Sequence, residues 1–434
     1  MLQKKRCSII IIAYYVFAIP TFAQADSPTN FIQKSDISGT IRSCYFSKLY
    51  GAAAENNMDA YSLGEIINIK TTPFLGGFIV GVSLFTASDL GTHGNNPKNV
   101  DTTLMGIASS INALGQAYIQ YEIPHRLLIR AGNQMINTPW MGPRDSRMLP
   151  QTFQGLFVRI TPVSGLNLEA MRIFRWKSRT SDGYYKDNLY YDTNYYNDPL
   201  YGVTAVLPKN AGKFQGTLAF GATYTAIGAD VQSWYYNFYQ FAQMFYGSAT
   251  YTLKTGAEFF PFTAVQYMRE WQVNSAFQKY DAKLLGQSGS VNATLWGGKV
   301  GVKIPSGKVF AAYNALTLHP GSFGGGAIIS PYGNYNATYS SFITDNLLAF
   351  GPGHAWRVAA SYRLWQRQIL LMAGYAHFNT NYEGRTHGVY LDVTYAPKML
   401  KGFIVRDQVA IDNGLQAYAG RSFIYNRMML QYAF

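Results

Sequence analysis

No stretch of this sequence supplies the roughly 20 consecutive apolar residues that a membrane-spanning helix needs. The nearest approach, Thr71 to Ser88, carries no charge before its end, but Gly76, Gly77 and Gly81 interrupt it, and it alternates more than it accumulates apolar bulk. It reads as a strand. Cysteine is equally scarce. Cys7 lies in a leader-like segment with no apolar run ahead of it to make a lipoprotein site, and the remaining Cys44 cannot form an intrachain disulfide alone. Charged residues make up only 14% of the chain, with 23 acidic against 36 basic and a formal charge of +13. Lys/Arg runs are few, so nucleic acid is a poor partner for this basic excess, and anionic solutes or lipopolysaccharide fit it better. Catalytic signatures are missing too. No Gly-x-Ser-x-Gly elbow occurs, and His93, His125, His319, His354, His377 and His387 fall in no hydrolase pattern. No His/Cys/carboxylate cluster has metal-ligand spacing, so neither an enzyme nor a bound cofactor is expected.

What is present begins with a leader. Lys4, Lys5 and Arg6 precede the apolar run Ser8 to Ala18, then Pro20 and the small-residue pattern Ala23-Gln24-Ala25. This is the pattern of a secretory signal over residues 1–25, cut before Asp26, and its loss lowers the formal charge from +13 to +10. The mature segment, 26–434, combines 16% aromatic residues, 34 of them Tyr, with little charge. A lipid-facing barrel accommodates both: an apolar outer surface with Tyr and Trp girdles, and a polar inside. A large secreted β-sandwich or β-helix is the competing reading of composition alone.

Period-two alternation recurs along the chain. Leu127, Ile129 and Ala131 oppose Arg130 and Gln134; Leu156, Val158 and Ile160 oppose Arg159. Val358, Ala360, Tyr362 and Leu364 oppose Arg357, Ser361 and Arg363, and Val389, Leu391, Val393 and Tyr395 oppose Tyr390, Asp392 and Thr394. Side chains alternate faces along a strand, so these are one-sided apolar ribbons. The chain end separates lipid from a protein core: Met428, Leu430, Tyr432 and the terminal Phe434 share a face, against Arg427, Met429 and Gln431. This resembles the terminal signature by which bacterial outer-membrane barrels are recognised for insertion. Short turns such as Pro162–Gly165, Pro208–Gly212 and Pro305–Gly307 alternate with long stretches such as Asp89–Asp101, Ser181–Pro199 and Gly321–Tyr339. Short turns belong on the periplasmic side and long loops outside. At about 10 residues per strand, the mature length holds roughly 16 to 18 strands, wide enough for an aqueous lumen. No linker marks a second domain, and no plug domain precedes the first strand, so passive passage is expected.

The segment Arg130-Ala-Gly-Asn-Gln-Met-Ile-Asn-Thr-Pro-Trp-Met-Gly-Pro-Arg-Asp-Ser-Arg-Met-Leu-Pro-Gln-Thr-Phe-Gln-Gly155 resembles the OprD-type porin family. The matching positions are Gly132, Gln134, Pro139, Asp145, Arg147, Pro150, Thr152, Phe153 and Gly155, with thinner similarity at Gly39, Arg42, the Phe350–Trp356 approach to a strand and the last strand. The resemblance implies an all-β, transmembrane antiparallel barrel of eighteen strands, often trimeric, in the bacterial outer membrane. It implies a pore narrowed by an infolded loop, here Pro139 to Phe153, and lined by a basic ladder opposite an acidic patch. Its members pass small carboxylate-bearing nutrients such as amino acids, short peptides and aromatic acids, and some pass oligosaccharides. The Tyr-rich loop Tyr184 to Tyr201 has no counterpart in the family pattern.

Physics assigns lumen positions independently. An arginine facing lipid at mid-depth costs about 2 to 4 kcal/mol, so Arg130, Arg159, Arg357 and Arg363 must point inward. Fixed guanidinium groups in a narrow passage favour carboxylates. Arg144 and Arg147 around Asp145 are either a loop-stabilising ion-pair group or a substrate filter, and Asp345 is either an ordinary loop acid or the receiver of a zwitterion's amino group. Arg172 and Arg175 cannot share a face of a regular strand, which points to a bulge or to emergence into a loop. Tyr235, Tyr236, Phe238 and Tyr239 are assigned to an interface girdle in preference to a sugar-stacking track. The expected function is passive, selective diffusion of small anionic or zwitterionic solutes. A positive wall led by Arg130, Arg147 and Arg159 would face Asp145 and Asp345. A structural or adhesive surface barrel, or a porin for oligosaccharides, is the alternative.

Overall fold

The computed structural model describes residues 34–434 except 53–54, 95, 193–205, 281–289, 334–336, 344 and 416–419. The leader lies outside the described residues. Strands β1 (Asp36–Tyr50), β2 (Met58–Lys70), β3 (Phe78–Ser88), β4 (Ser110–Ile123), β5 (Leu127–Gln134) and β6 (Thr152–Val163) form the first third of the wall. Strands β7 (Leu166–Lys177), β8 (Thr217–Ala226), β9 (Ala229–Phe238), β10 (Ala242–Thr252), β11 (Phe260–Gln272) and β12 (Val291–Ile304) continue it. It ends with β13 (Gly307–Leu316), β14 (Gly353–Leu364), β15 (Ile369–Thr380), β16 (Gly384–Tyr395), β17 (Phe403–Asn413) and β18 (Phe423–Ala433). Each pairs antiparallel with its sequence neighbours, and β1 also pairs with β18, so the 18-stranded sheet closes on itself. Among the described residues no helix is long and apolar enough to cross a membrane.

Closure gives every strand an outer and an inner face, and the alternation places side chains accordingly. Leu156, Val358, Leu391, Leu430 and Tyr432 are exposed outside, whereas Arg42, Ala355, Tyr390 and Arg427 are buried inside. Connections alternate ends. One end carries tight turns, such as 164–165 and 305–306; the other carries the long excursions 89–109, 135–151, 178–216, 273–290 and 317–352. Two expectations change here. Residues 71–77 form the turn before β3 and are not strand, with Leu75 at φ 43° and Gly76 at φ 77°. The Pro208–Gly212 segment lies within the 178–216 excursion, so it is part of a loop and not a short turn of the opposite end.

The interior is filled by loops. Trp140, Met141 and Leu149 of the 135–151 loop are fully buried, as are Ile329 and Tyr332 of the 317–352 loop. A short helix α1 (Ala276–Lys279) and another, α2 (Leu347–Phe350), also pack inside with buried apolar residues. Asn346 caps α2, accepting the Ala349 N–H at 2.9 Å.

Candidate functional site

The third loop leaves β5 and returns through β6 at a pair of facing glycines. Gly132 opposes Gly155, and a Cβ on either would lie 2.3 Å or less from a neighbouring carbonyl oxygen. Gln134 donates to the Gly155 carbonyl at 3.0 Å, so these motif residues fix where the loop departs. Inside it, the Thr138 N–H donates to the Met141 carbonyl at 2.7 Å and the Gln151 N–H to the Pro143 carbonyl at 2.8 Å, folding the Pro-framed segment on itself.

Arg42, on the inner face of β1, secures the loop to the wall. Its guanidinium grips Asp145 with both terminal nitrogens, at 2.5 and 2.8 Å, and donates to the carbonyls of Arg147 and Met148 at 3.1 and 3.2 Å. The fork geometry matches a carboxylate with two bonds. Asp145 therefore pairs with a distant strand, not with Arg144 or Arg147 beside it. Arg144 donates instead to the Tyr332 carbonyl at 3.3 Å, tying the third loop to the 317–352 loop. Arg147 is 5% exposed, with its guanidinium 5.9 Å from the Phe46 ring, and it acts electrostatically on Asp101.

Tyr332 is the hub of the infolded loops. Its ring meets Phe153, Trp176, Phe214 and Phe238 at centroid distances of 5.2 to 6.2 Å, and its hydroxyl lies 2.9 Å from Thr217 Oγ1. Trp234, Tyr236 and Phe238 stack in a column along the inside of β9, at 5.8 and 5.6 Å. Tyr236 and Phe238 are thus buried anchors inside the barrel, not girdle residues, because their even positions face inward; Tyr235 is half-buried. Of the Tyr-rich loop, Tyr190 is buried against Phe241 and Phe277, and its hydroxyl accepts the Ser330 N–H at 2.9 Å. Its residues from 193 onward lie outside the described ones.

The loops leave a cavity of about 970 Å³ within the barrel. Seven Lys/Arg and three acidic side chains line it among the described residues. All three acids are held by arginines: Asp145 by Arg42, Glu169 by Arg159 at 2.6 Å, and Asp392 by Arg406 at 2.6 Å. Lys299 and Arg357 also line it, and among the described residues neither forms an ion pair. Lys299 sits 4.3 Å from the Tyr339 ring centroid, and Arg357 lies 5.4 Å from Phe310 and 5.3 Å from Phe342. Lys303 of β12, Lys308 of β13 and Arg357 of β14 are within electrostatic range of Lys299.

Of the expected residues, Arg144, Asp145, Arg147 and Arg357 line this cavity. Arg130 and Arg159 face inward nearer the short-turn end. There Arg130 donates to Gln120 at 2.7 Å and stacks 4.6 Å from Tyr118, and Arg159 is bound by Glu169. Arg363 is exposed at the short-turn mouth. Asp345 is 0% exposed and sits near Gly388 of β16; its neighbours Ile343 and Asn346 line the cavity while it does not. Lys299, Arg406 and Arg427 escaped the sequence reading as charge-bearing wall positions. The parity that located Arg357 also places Arg427 inward, but the glycines around Lys299 blur its strand's alternation.

A family model described as outer membrane porin, OprD family, matches residues 29–319. No curated protein sequence matches the chain. Among solved structures, Pseudomonas aeruginosa OccK9 (OpdG) aligns at 17% identity and TM-score 0.74, covering 93% of this chain and 99% of that one. Pseudomonas aeruginosa OpdK with vanillate aligns at 15% and 0.72, covering 93% and 99%. Acinetobacter baumannii OccAB2 aligns at 16% and 0.73, covering 93% and 98%. At these identities the likeness concerns the fold.

Proposed function

Because this chain belongs to the OprD family of outer membrane porins, we propose that it admits small anionic and zwitterionic solutes, carboxylates foremost, by passive diffusion past the Lys299–Arg357 wall. The observation that carries the reading is the asymmetry of the cavity: every lining acid is held by an arginine, while Lys299 and Arg357 have no acidic partner among the described residues. Cations in a narrow passage with low-dielectric walls raise the local concentration of anions. The neighbouring rings of Phe310, Phe342 and Tyr339 add an apolar surface for the body of an organic acid. A structural neighbour solved with vanillate, an aromatic carboxylate, supports the same chemical class.

In this scheme Arg130 and Arg159 receive the solute nearer the periplasm, and Arg363 stands at the exit. Asp345, buried away from the cavity, is assigned no contact with solute.

Single-channel recording in planar bilayers across a KCl gradient tests the reading. The wild type should prefer anions and be blocked by small aromatic carboxylates. Lys299→Gln and Arg357→Gln should each lower the anion-to-cation permeability ratio by about fivefold, the equivalent of ~1 kcal/mol for a unit charge at contact distance in water. An unchanged reversal potential in the double variant would remove the cation wall from the selectivity mechanism.

A further inference from the structure

The upper end of β7 departs from regular alternation in a way the lumen does not use. Gly155 pairs with Ile173 and Gln154 with Arg175, so Phe174 is an extra residue with no partner across the ladder. The bulge resets the parity. Arg172 pairs with Leu156 and Leu218 on the outer face, and Arg175 pairs with the outward Gln154, so both arginines face away from the lumen. Without the bulge Arg175 would point inward.

A concavity of about 370 Å³ lies at this point of the outer wall, lined by Arg172, Phe174, Lys186, Lys213, Phe214 and Gln215. The two lysines are brought together by the 178–216 excursion, where the Phe214 N–H donates to the Lys186 carbonyl at 3.1 Å. Among the described residues Arg172 is held in place by neutral groups. It donates to the carbonyls of Ile173 and Gln215 at 2.5 and 2.9 Å, and its guanidinium lies 4.7 Å from the Phe174 ring and 4.6 Å from the Tyr239 ring. Among the described residues none of Arg172, Arg175, Lys186 and Lys213 is in an ion pair. The site stands above the exposed apolar surface of Leu156, Leu168 and Phe220, at the long-loop end of the barrel. In a barrel inserted with its long loops outward, that end meets the headgroups of the outer leaflet.

We propose that this concavity binds a phosphate group of an outer-leaflet glycolipid, the lipid A portion of lipopolysaccharide. Arg172 is pre-positioned by its carbonyl contacts, Lys186 and Lys213 close on the phosphate oxygens, and Phe174 faces the lipid. Cations without acidic partners at the rim of an apolar wall select a phosphate that is attached to a lipid, because the headgroup charge and the acyl chains are satisfied together. The inference is independent of which solute crosses the lumen, since none of these side chains lines the inner cavity.

Native mass spectrometry of the detergent-extracted barrel tests it, with bisphosphorylated lipid A, the same lipid dephosphorylated, and inorganic phosphate as probes. The wild type should retain lipid A and release the dephosphorylated form. R175Q/K186Q/K213Q, which keeps the carbonyl clasp of Arg172, should weaken retention by at least about tenfold, and R172Q should act in the same direction. Folding is verified by heat-modifiable gel mobility and channel selectivity, which should be unchanged in the triple variant. Equal retention by the folded triple variant, or equal retention of the dephosphorylated lipid, overturns the proposal. Displacement by inorganic phosphate at concentrations equal to the lipid would make this a free-anion site and also overturn it.

Discussion

Arg42 and Asp145 join the third loop to the first strand, and the two partners are not equally exposed. Arg42 is nearly buried, whereas the Asp145 side chain is 36% exposed. Arg42→Ala removes two loop carbonyl contacts as well as the ion pair, and we expect it to cost about 1 to 3 kcal/mol in urea unfolding of the inserted barrel, since buried carbonyls lose their donor while the partly exposed Asp145 regains water. Open-channel current noise should rise with it. Asp145→Asn keeps acceptor capacity for Arg42 and should cost less. Asp101 fastens another loop, 89–109. Burial alone would raise its carboxyl pKa, but Lys48 at 2.8 Å and the charge of Arg147 outweigh burial and hold it below the usual carboxylate range. A folded pKa below the unfolded one contributes stability that is present above about pH 4 and is lost as pH falls further, toward the folded value. Pepsin cleavage within 89–109 should therefore increase as pH falls below about 4 in the wild type. Asp101→Asn should remove that pH dependence while raising cleavage throughout.

At the scale of elements, the passage is shaped by loops docking on one another more than by the strands. Tyr332 touches side chains from β6, β7, β9 and the 178–216 excursion. Truncating such a fully buried aromatic leaves a cavity and typically costs about 3 to 5 kcal/mol. We expect Tyr332→Ala to destabilise the loop plug by that order and to increase single-channel conductance, because the third loop and the 317–352 loop then lose their shared contact; unchanged conductance would show that the wall alone sets the bore. The column Trp234, Tyr236 and Phe238 shows why such anchors were misassigned from sequence. Aromatic residues suit the membrane girdle and the loop-filled interior equally well, and only inward parity combined with covering loops distinguishes them.

At the scale of the whole molecule, closure depends on the seam between β1 and β18. Gly39 exchanges both backbone hydrogen bonds with the terminal Phe434, at 2.9 and 3.0 Å, and a Cβ on Gly39 would stand 2.4 Å from the Phe434 ring. Gly39→Val should push the terminal ring off the wall and reduce the fraction of heat-modifiable, closed barrel on folding. Full closure in that variant would show that the ring's seat on Gly39 is dispensable.

The sequence alone determined the one-sided strands, because period-two alternation needs no tertiary information: each strand's apolar face is written in its own residues, as in Val358 to Leu364, and the last strand and the family motif pointed from such strands to a barrel. Strand parity in the sequence also turns Arg130, Arg159, Arg357 and Arg363 inward, and the motif marks Pro139 to Phe153 as the loop between two strands. Only the tertiary structure decided who meets whom across the lumen. Asp145 is bonded to Arg42, which is 103 residues away; Asp345 is withdrawn from the cavity; and the bulge at Phe174 turns Arg175 outward. The physical reason is that strand parity is a local property of consecutive backbone units, whereas the pairing of charges and the docking of loops depend on which strands barrel closure brings into range.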